Sequence, residues 1–150
     1  MRVLIAGTFD LFHKGHEFFI ASALQYVAEV RNSEFHVIIA TDVNVEKIKN
    51  KIPKNSENQR KNNVEKFIKN KIVENLNIYK NIKIFVHIGS ETNFLKLPIK
   101  INPDIICVGY DQKIPKSLLL EKEKGFLKNC KFVVCDSYFP EKYKTSLVDI

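Results

Sequence analysis

Five short runs of apolar, largely β-branched residues recur along the chain: RVLIA (2–6), FHVIIAT (35–41), IKIFVHI (82–88), DIICVGY (104–110) and KFVVCD (131–136). Each is close to continuously apolar, as expected of a strand whose two faces are both covered. Stretches with helical spacing separate them. From 14 to 30 the residues Phe18, Phe19, Ala21, Ala23, Leu24, Val27 and Ala28 share one face. Ser56 is placed to cap a second helix with an apolar face of Val64, Phe67, Ile68, Ile72 and Leu76. Residues 116–128 read as another helix, 92–101 as a short helix or irregular turn broken by Pro98, and 42–55 as a polar segment. Strands alternating with helices predict an α/β fold, a doubly wound Rossmann-like parallel sheet of about five strands with helices on both faces. The 150 residues suit a single domain over 1–150.

Several classes are set aside by composition. Apolar residues make up 45% and charged residues 27%, an ordinary globular balance. No apolar run approaches the roughly 20 residues of a membrane-spanning helix. The opening MRVLIAG has one basic residue and too short an apolar stretch for a signal peptide, so a soluble cytoplasmic protein is expected. Cys107, Cys130 and Cys135 show neither a CxxC pair nor zinc-ligand spacing and read as buried free thiols. The net charge of +7 is spread over lysines that alternate with asparagine, with no aromatic-interleaved basic stripe. An anionic small molecule suits that charge at least as well as nucleic acid, and charge alone does not decide between them.

In doubly wound sheets, ligands bind outside the carboxyl ends of the strands, where the winding reverses. That rule gathers GTFDLFHKGH (7–16), the segment after Thr41, GYDQ (109–112) and the segment after Cys135 on one rim. Gly7 lets the chain leave the first strand closely, so that the amides of Thr8 and Phe9 face an anion. His13 and His16 stand at the entrance to a helix, where the dipole and unpaired N–H groups already attract phosphate. Gly15 keeps bulk away between them. Asp10 is expected to orient the loop through a local hydrogen bond. His36 and His87, inside strands, read as structural histidines.

The segment GTFDLFHKGH resembles the H-x-G-H signature of the cytidylyltransferase-like nucleotidyltransferases. TDVNVEKIKNK is similar to the strand-end threonine-aspartate and following lysines of that family, and NSENQRKNNV to its E-x-x-R helix start. PDIICVGYDQ resembles its penultimate strand, closest to archaeal FAD synthase, and KTSL its C-terminal serine/threonine motif. The motifs run in family order over the whole chain. The resemblance implies nucleotidyl transfer: an acceptor phosphate attacks the α-phosphorus of a nucleoside triphosphate and pyrophosphate leaves.

By that resemblance His13 and His16 contact the triphosphate, and Lys47 or Lys49 neutralises the acceptor and α-phosphate. Arg60, Gly109, Asp111 and Gln112 are expected at the nucleotide, and Thr145 and Ser146 at the β- and γ-phosphates. Magnesium is expected on the phosphates, with no protein metal ligand assigned, and the partners are a nucleoside triphosphate (CTP or ATP) and a small phosphorylated acceptor. Family likeness implies a homodimer, for which Phe18, Phe19 and Tyr26 are available. The leading expectation is cytidylyl transfer from CTP to an acceptor such as glycerol 3-phosphate. The alternatives are adenylyl transfer from ATP to FMN, giving FAD, and a nucleotide-binding regulator without turnover.

Overall fold

The computed structural model describes residues 1–112, 114, 116–125, 127 and 129–135. Strands β1 (Arg2–Gly7), β2 (Glu34–Ile39), β3 (Lys83–Ile88), β4 (Ile105–Val108) and β5 (Lys131–Val134) form one sheet in the order β3-β2-β1-β4-β5. Every neighbouring pair is parallel, with Ile5 opposite both Val37 and Cys107. Helices α1 (Lys14–Leu24), α2 (Asp42–Lys49), α3 (Glu57–Glu74), α4 (Lys96–Ile101) and α5 (Lys116–Glu123) connect the strands. The expected α/β architecture is present.

Side-chain alternation along the strands sorts the core into two layers. Val3, Ile5, Phe35, Val37 and Ile39 point to one face, where Ile20 and Leu24 of α1 and Val64 and Ile68 of α3 cover them. Leu4, Ile38, Ile106 and Val108 point to the other, under Ile101 of α4 and Leu118 of α5. The sheet is therefore buried on both sides, which is why its strands carry so little polar alternation. The chain adds strands outward from β1 to β3, then crosses back to lay β4 on the other side of β1. The winding reverses between β1 and β4, the position at which doubly wound sheets form a ligand crevice outside their carboxyl ends.

Three elements differ from the sequence reading. Helix α1 ends at Leu24, and 3₁₀-type bonds from the amides of Tyr26, Val27 and Ala28 to Ala23, Leu24 and Gln25 carry the chain onward. Val27 still reaches the core, so the apolar spacing is real although the helix is shorter. The polar segment after Thr41 holds helix α2. Thr41 Oγ1 accepts the Asn44 amide at 3.1 Å, and Asn50 closes the helix with φ 55°. Val45 is its one buried residue, which left no apolar stripe to read. Pro98 does not break α4 but occupies its first turn, where a missing N–H costs no helical bond.

The histidines and cysteines fall as expected. His36 Nε2 meets Glu34 Oε1 at 2.8 Å and its Nδ1 meets His87 Nε2 at 3.0 Å. The three cysteines are buried thiols, and burial, followed by the neighbouring Cys135, pushes the Cys107 thiol up to about 12.

Candidate active site

The turn between β1 and α1 is the most tightly determined part of the rim. Phe9 and Leu11 hold left-handed φ angles of 53° and 50° without being glycine. Such backbone costs of order 1–3 kcal/mol per residue unless its surroundings fix it. Here they do. The Phe9 ring is buried, meeting the His16 ring edge-on at 5.5 Å between centroids and the Phe19 ring near-parallel at 6.4 Å. The Asp10 carboxylate accepts the amides of Lys54 at 2.7 Å and Asn55 at 2.9 Å, tying the turn to the segment before α3. Asp10 thus orients the loop, through a partner 44 residues away rather than a local bond.

Gly7 is needed for space. A Cβ there would lie 2.9 Å from Cε2 of the buried Phe9 ring. Gly7→Ala is expected to destabilise the fold by about 1–3 kcal/mol through overpacking, measured as a lowered urea midpoint at unchanged m. An unchanged midpoint would mean the Phe9 ring is free to move aside.

His13 and His16 open α1 in an unusual way. The His13 ring is the N-cap: its Nδ1 accepts the Gly15 amide at 3.0 Å, while His16 Nδ1 accepts the His13 amide at 3.3 Å. This is the reciprocal pattern of a capping box, with imidazoles where Ser/Thr and Glu usually stand. It stacks the two rings at 3.9 Å between centroids. Because each Nδ1 is an acceptor, the proton of each neutral ring sits on Nε2. Burial lowers the His16 pKa to about 3, with help from His13 and then the Lys49 charge. Burial also lowers that of His13, partly opposed by Glu17. The turn presents two neutral rings with Nε2–H donors beside the positive end of an eleven-residue helix.

The depressed His16 pKa has a consequence for stability. The unfolded chain takes up a proton near pH 6.5, whereas folded His16 resists it down to about 3. The unfolded state binds more protons in that window, so stability is full above pH 6.5 and falls as the pH drops toward 3. Thermal midpoints are expected to fall between pH 7 and 5, and His16→Gln is expected to flatten that dependence. Parallel curves for the two proteins would contradict it.

The other expected site residues fall into three groups. Lys47 and Lys49 lie on the exposed last turn of α2, and the influence of Lys49 on His16 places that lysine within electrostatic reach. Gly109, Asp111 and Gln112 stand across the crevice. The Gln112 amide accepts the Gly109 N–H at 2.7 Å and donates to the Ala6 carbonyl at 3.1 Å, bridging the ends of β4 and β1. Gln112 is in this way a brace of the crevice floor as well as a rim residue.

Arg60 departs from expectation. It is fully buried, donating to the carbonyls of Asn55 (3.0 Å), Thr8 (2.8 Å) and Ala40 (2.8 Å) and to Asp42 Oδ1 (2.7 Å). A guanidinium enclosed in this way does not reach a nucleotide. It binds the β1 turn, the end of β2 and the starts of α2 and α3 into one frame beneath the histidines. Phe9, too, contributes only backbone to the rim. Thr145 and Ser146 lie outside the described residues. Among the described residues no group of three or more His, Cys, Asp or Glu side chains is arranged to hold a metal ion.

The capping pair has a sequence signal that was open to notice: H-x-x-H has the spacing of the S-x-x-E capping box. The Asp10 and Gln112 bridges had none, since each joins residues far apart in the chain.

A parallel doubly wound sheet, with a histidine-capped helix following its first strand at the reversal of winding, is the arrangement of nucleotide-binding α/β folds. The sequence model described as cytidylyltransferase-like matches residues 4–148, and the chain belongs to that family. It is a nucleotidyltransferase that uses a nucleoside triphosphate. A FAD synthase from Methanosarcina mazei is 38% identical over 123 residues, 81% of this chain and 67% of that protein. One from Korarchaeum cryptofilum is 31% identical over 81% of this chain and 71% of its own length. One from Methanohalobium evestigatum is 40% identical over 75% and 61%. Among solved structures, a lipopolysaccharide core biosynthesis protein from Thermoplasma volcanium is similar at TM-score 0.63 and 28% identity, over 92% of this chain and 98% of that one.

Proposed function

We propose that residues 1–150 act as one domain that transfers the adenylyl group of ATP to the phosphate of FMN, forming FAD and releasing pyrophosphate. The observation that carries this choice over CTP and glycerol 3-phosphate is the alignment of FAD synthases with 75–81% of the chain. In the reaction a phosphate oxygen of FMN bonds to the α-phosphorus, and the bond from that phosphorus to the bridging oxygen breaks. Little covalent work falls to the protein, which aligns two anions and stabilises the charge that builds between them.

The site suits that work. The Nε2–H donors of His13 and His16 strengthen as negative charge grows on the phosphoryl group. Both rings start neutral, so neither needs an acidic medium to donate. The α1 terminus and Lys49, with Lys47 on the same turn, supply positive potential. Gly15 and the amides of Thr8 and Phe9 line the approach, while Gly109, Asp111 and Gln112 face the ribose and base. Nucleotidyltransferases of this kind commonly use a divalent metal. Magnesium here would arrive with the triphosphate and offset its negative charge. A cytoplasmic homodimer belongs to the same proposal: Phe18 and Tyr26 are exposed, and no described helix is long and apolar enough to cross a membrane.

The test is pyrophosphate release with magnesium, crossing ATP and CTP against FMN and glycerol 3-phosphate. Turnover is expected with ATP and FMN alone. Turnover with CTP and glycerol 3-phosphate would restore the other acceptor, and binding without turnover would leave a regulator.

A further inference from the structure

An open groove with a volume of about 540 Å³ lies beside the β1–α1 turn, lined by Leu11, Phe12, Asn55, Asn63, Lys66, Phe67 and Asn70. We infer that this groove holds the isoalloxazine ring of the flavin acceptor, an assignment that rests on the proposed reaction. Its volume falls within the roughly 300–1,000 Å³ usual for small-molecule sites.

The groove adjoins the histidine turn through one shared ring. Phe12, on its wall, stacks on the His16 ring at 5.5 Å between centroids and touches Phe67 at 5.8 Å. Asn55, at its mouth, belongs to the segment that Asp10 and Arg60 pin to the β1 turn. A ligand in the groove would lie one ring away from His16, against the segment that leads into α3.

The lining combines aromatic surface with carboxamides and a cation, as a planar heteroaromatic ring requires. Asn63, Lys66, Phe67 and Asn70 follow helical i, i+3, i+4, i+7 spacing and form a stripe on α3 separate from the buried Val64 and Ile68. Leu11, Phe12 and Phe67 offer apolar and aromatic surface for the dimethylbenzene portion. The carboxamide at one end of the stripe both donates and accepts, as the two carbonyls and the N–H of the flavin pyrimidine edge require, and Lys66 adds a cation beside it. Asn63 and Asn70 lie about 10 Å apart along the helix axis, a span comparable with the long axis of a three-ring flavin. Glycerol 3-phosphate would leave such a slot empty. The charge of Lys66 and the carboxamides make it a poorer home for a purely apolar partner.

The experiment pairs FMN fluorescence quenching with steady-state FAD formation from FMN and MgATP, on the full chain. Phe67→Ala and the exposed-site variant Asn70→Asp are each expected to raise the FMN KM and quenching Kd about tenfold, with the ATP KM changed less than twofold. Because Phe67 also packs against Phe12, Asn70→Asp keeps the test open if Phe67→Ala unfolds. If the unsubstituted protein makes FAD and both soluble variants keep its FMN KM, the slot is overturned and the reaction stands. If it makes no FAD yet quenches FMN, and the variants lose that quenching, the slot stands and the reaction is overturned. Neither FAD nor quenching overturns both.

Discussion

Replacing His16 with alanine is expected to lower kcat by about 10²–10⁴-fold, with a much smaller change in the KM for ATP. The ring is half-buried, neutral and carries its proton on Nε2, so under the proposed reaction it gains most when charge builds on the transferring phosphoryl group. Part of any loss is structural, because His16 also accepts the His13 amide in the capping box. That part is expected to be about 1 kcal/mol of stability and is separated by measuring the urea midpoint alongside the rates. His16→Asn, whose carbonyl preserves an acceptor near the cap, is expected to recover stability before activity. An alanine variant with undiminished kcat would remove the histidine pair from the chemistry.

Arg60→Met is expected to destabilise the fold by about 2–4 kcal/mol, the largest effect on stability expected of any site residue. The substitution strands the carbonyls of Thr8, Ala40 and Asn55 and the Asp42 carboxylate at once. The figure lies below the full cost of breaking a buried pair because Asp42 keeps 41% of its side-chain surface in water. Arg60→Lys is expected to rescue little, since one ammonium cannot serve four acceptors spread around a planar fork. A urea midpoint within error of the unsubstituted protein would contradict the framing role.

The sheet was legible because its strands are buried on both faces, so RVLIA and FHVIIAT announce themselves by continuous hydrophobicity. The histidine pair was legible for another reason: glycine, a strand end and H-x-G-H spacing coincide at one place in the chain. What escaped is non-local or weakly apolar. Helix α2 buries only Val45 and stands on its caps, Thr41 and Asn50. Arg60 looks like an exposed helix residue by spacing, beside Lys61, and is revealed as enclosed only when the β1 turn and the β2–α2 junction converge on it. The groove along α3 draws on Leu11 and Asn70, which no local window joins. Sequence periodicity records which face meets the sheet, and says little about polar bonds that cross between loops.

The most direct measurement follows the label from ATP marked at its α-phosphate in one reaction and its γ-phosphate in another, each with FMN and magnesium. Nucleotidyl transfer at the His13–His16 turn puts the α-label in the flavin dinucleotide and releases the γ-label as pyrophosphate. Appearance of the γ-label on the flavin, or of neither label, would contradict it.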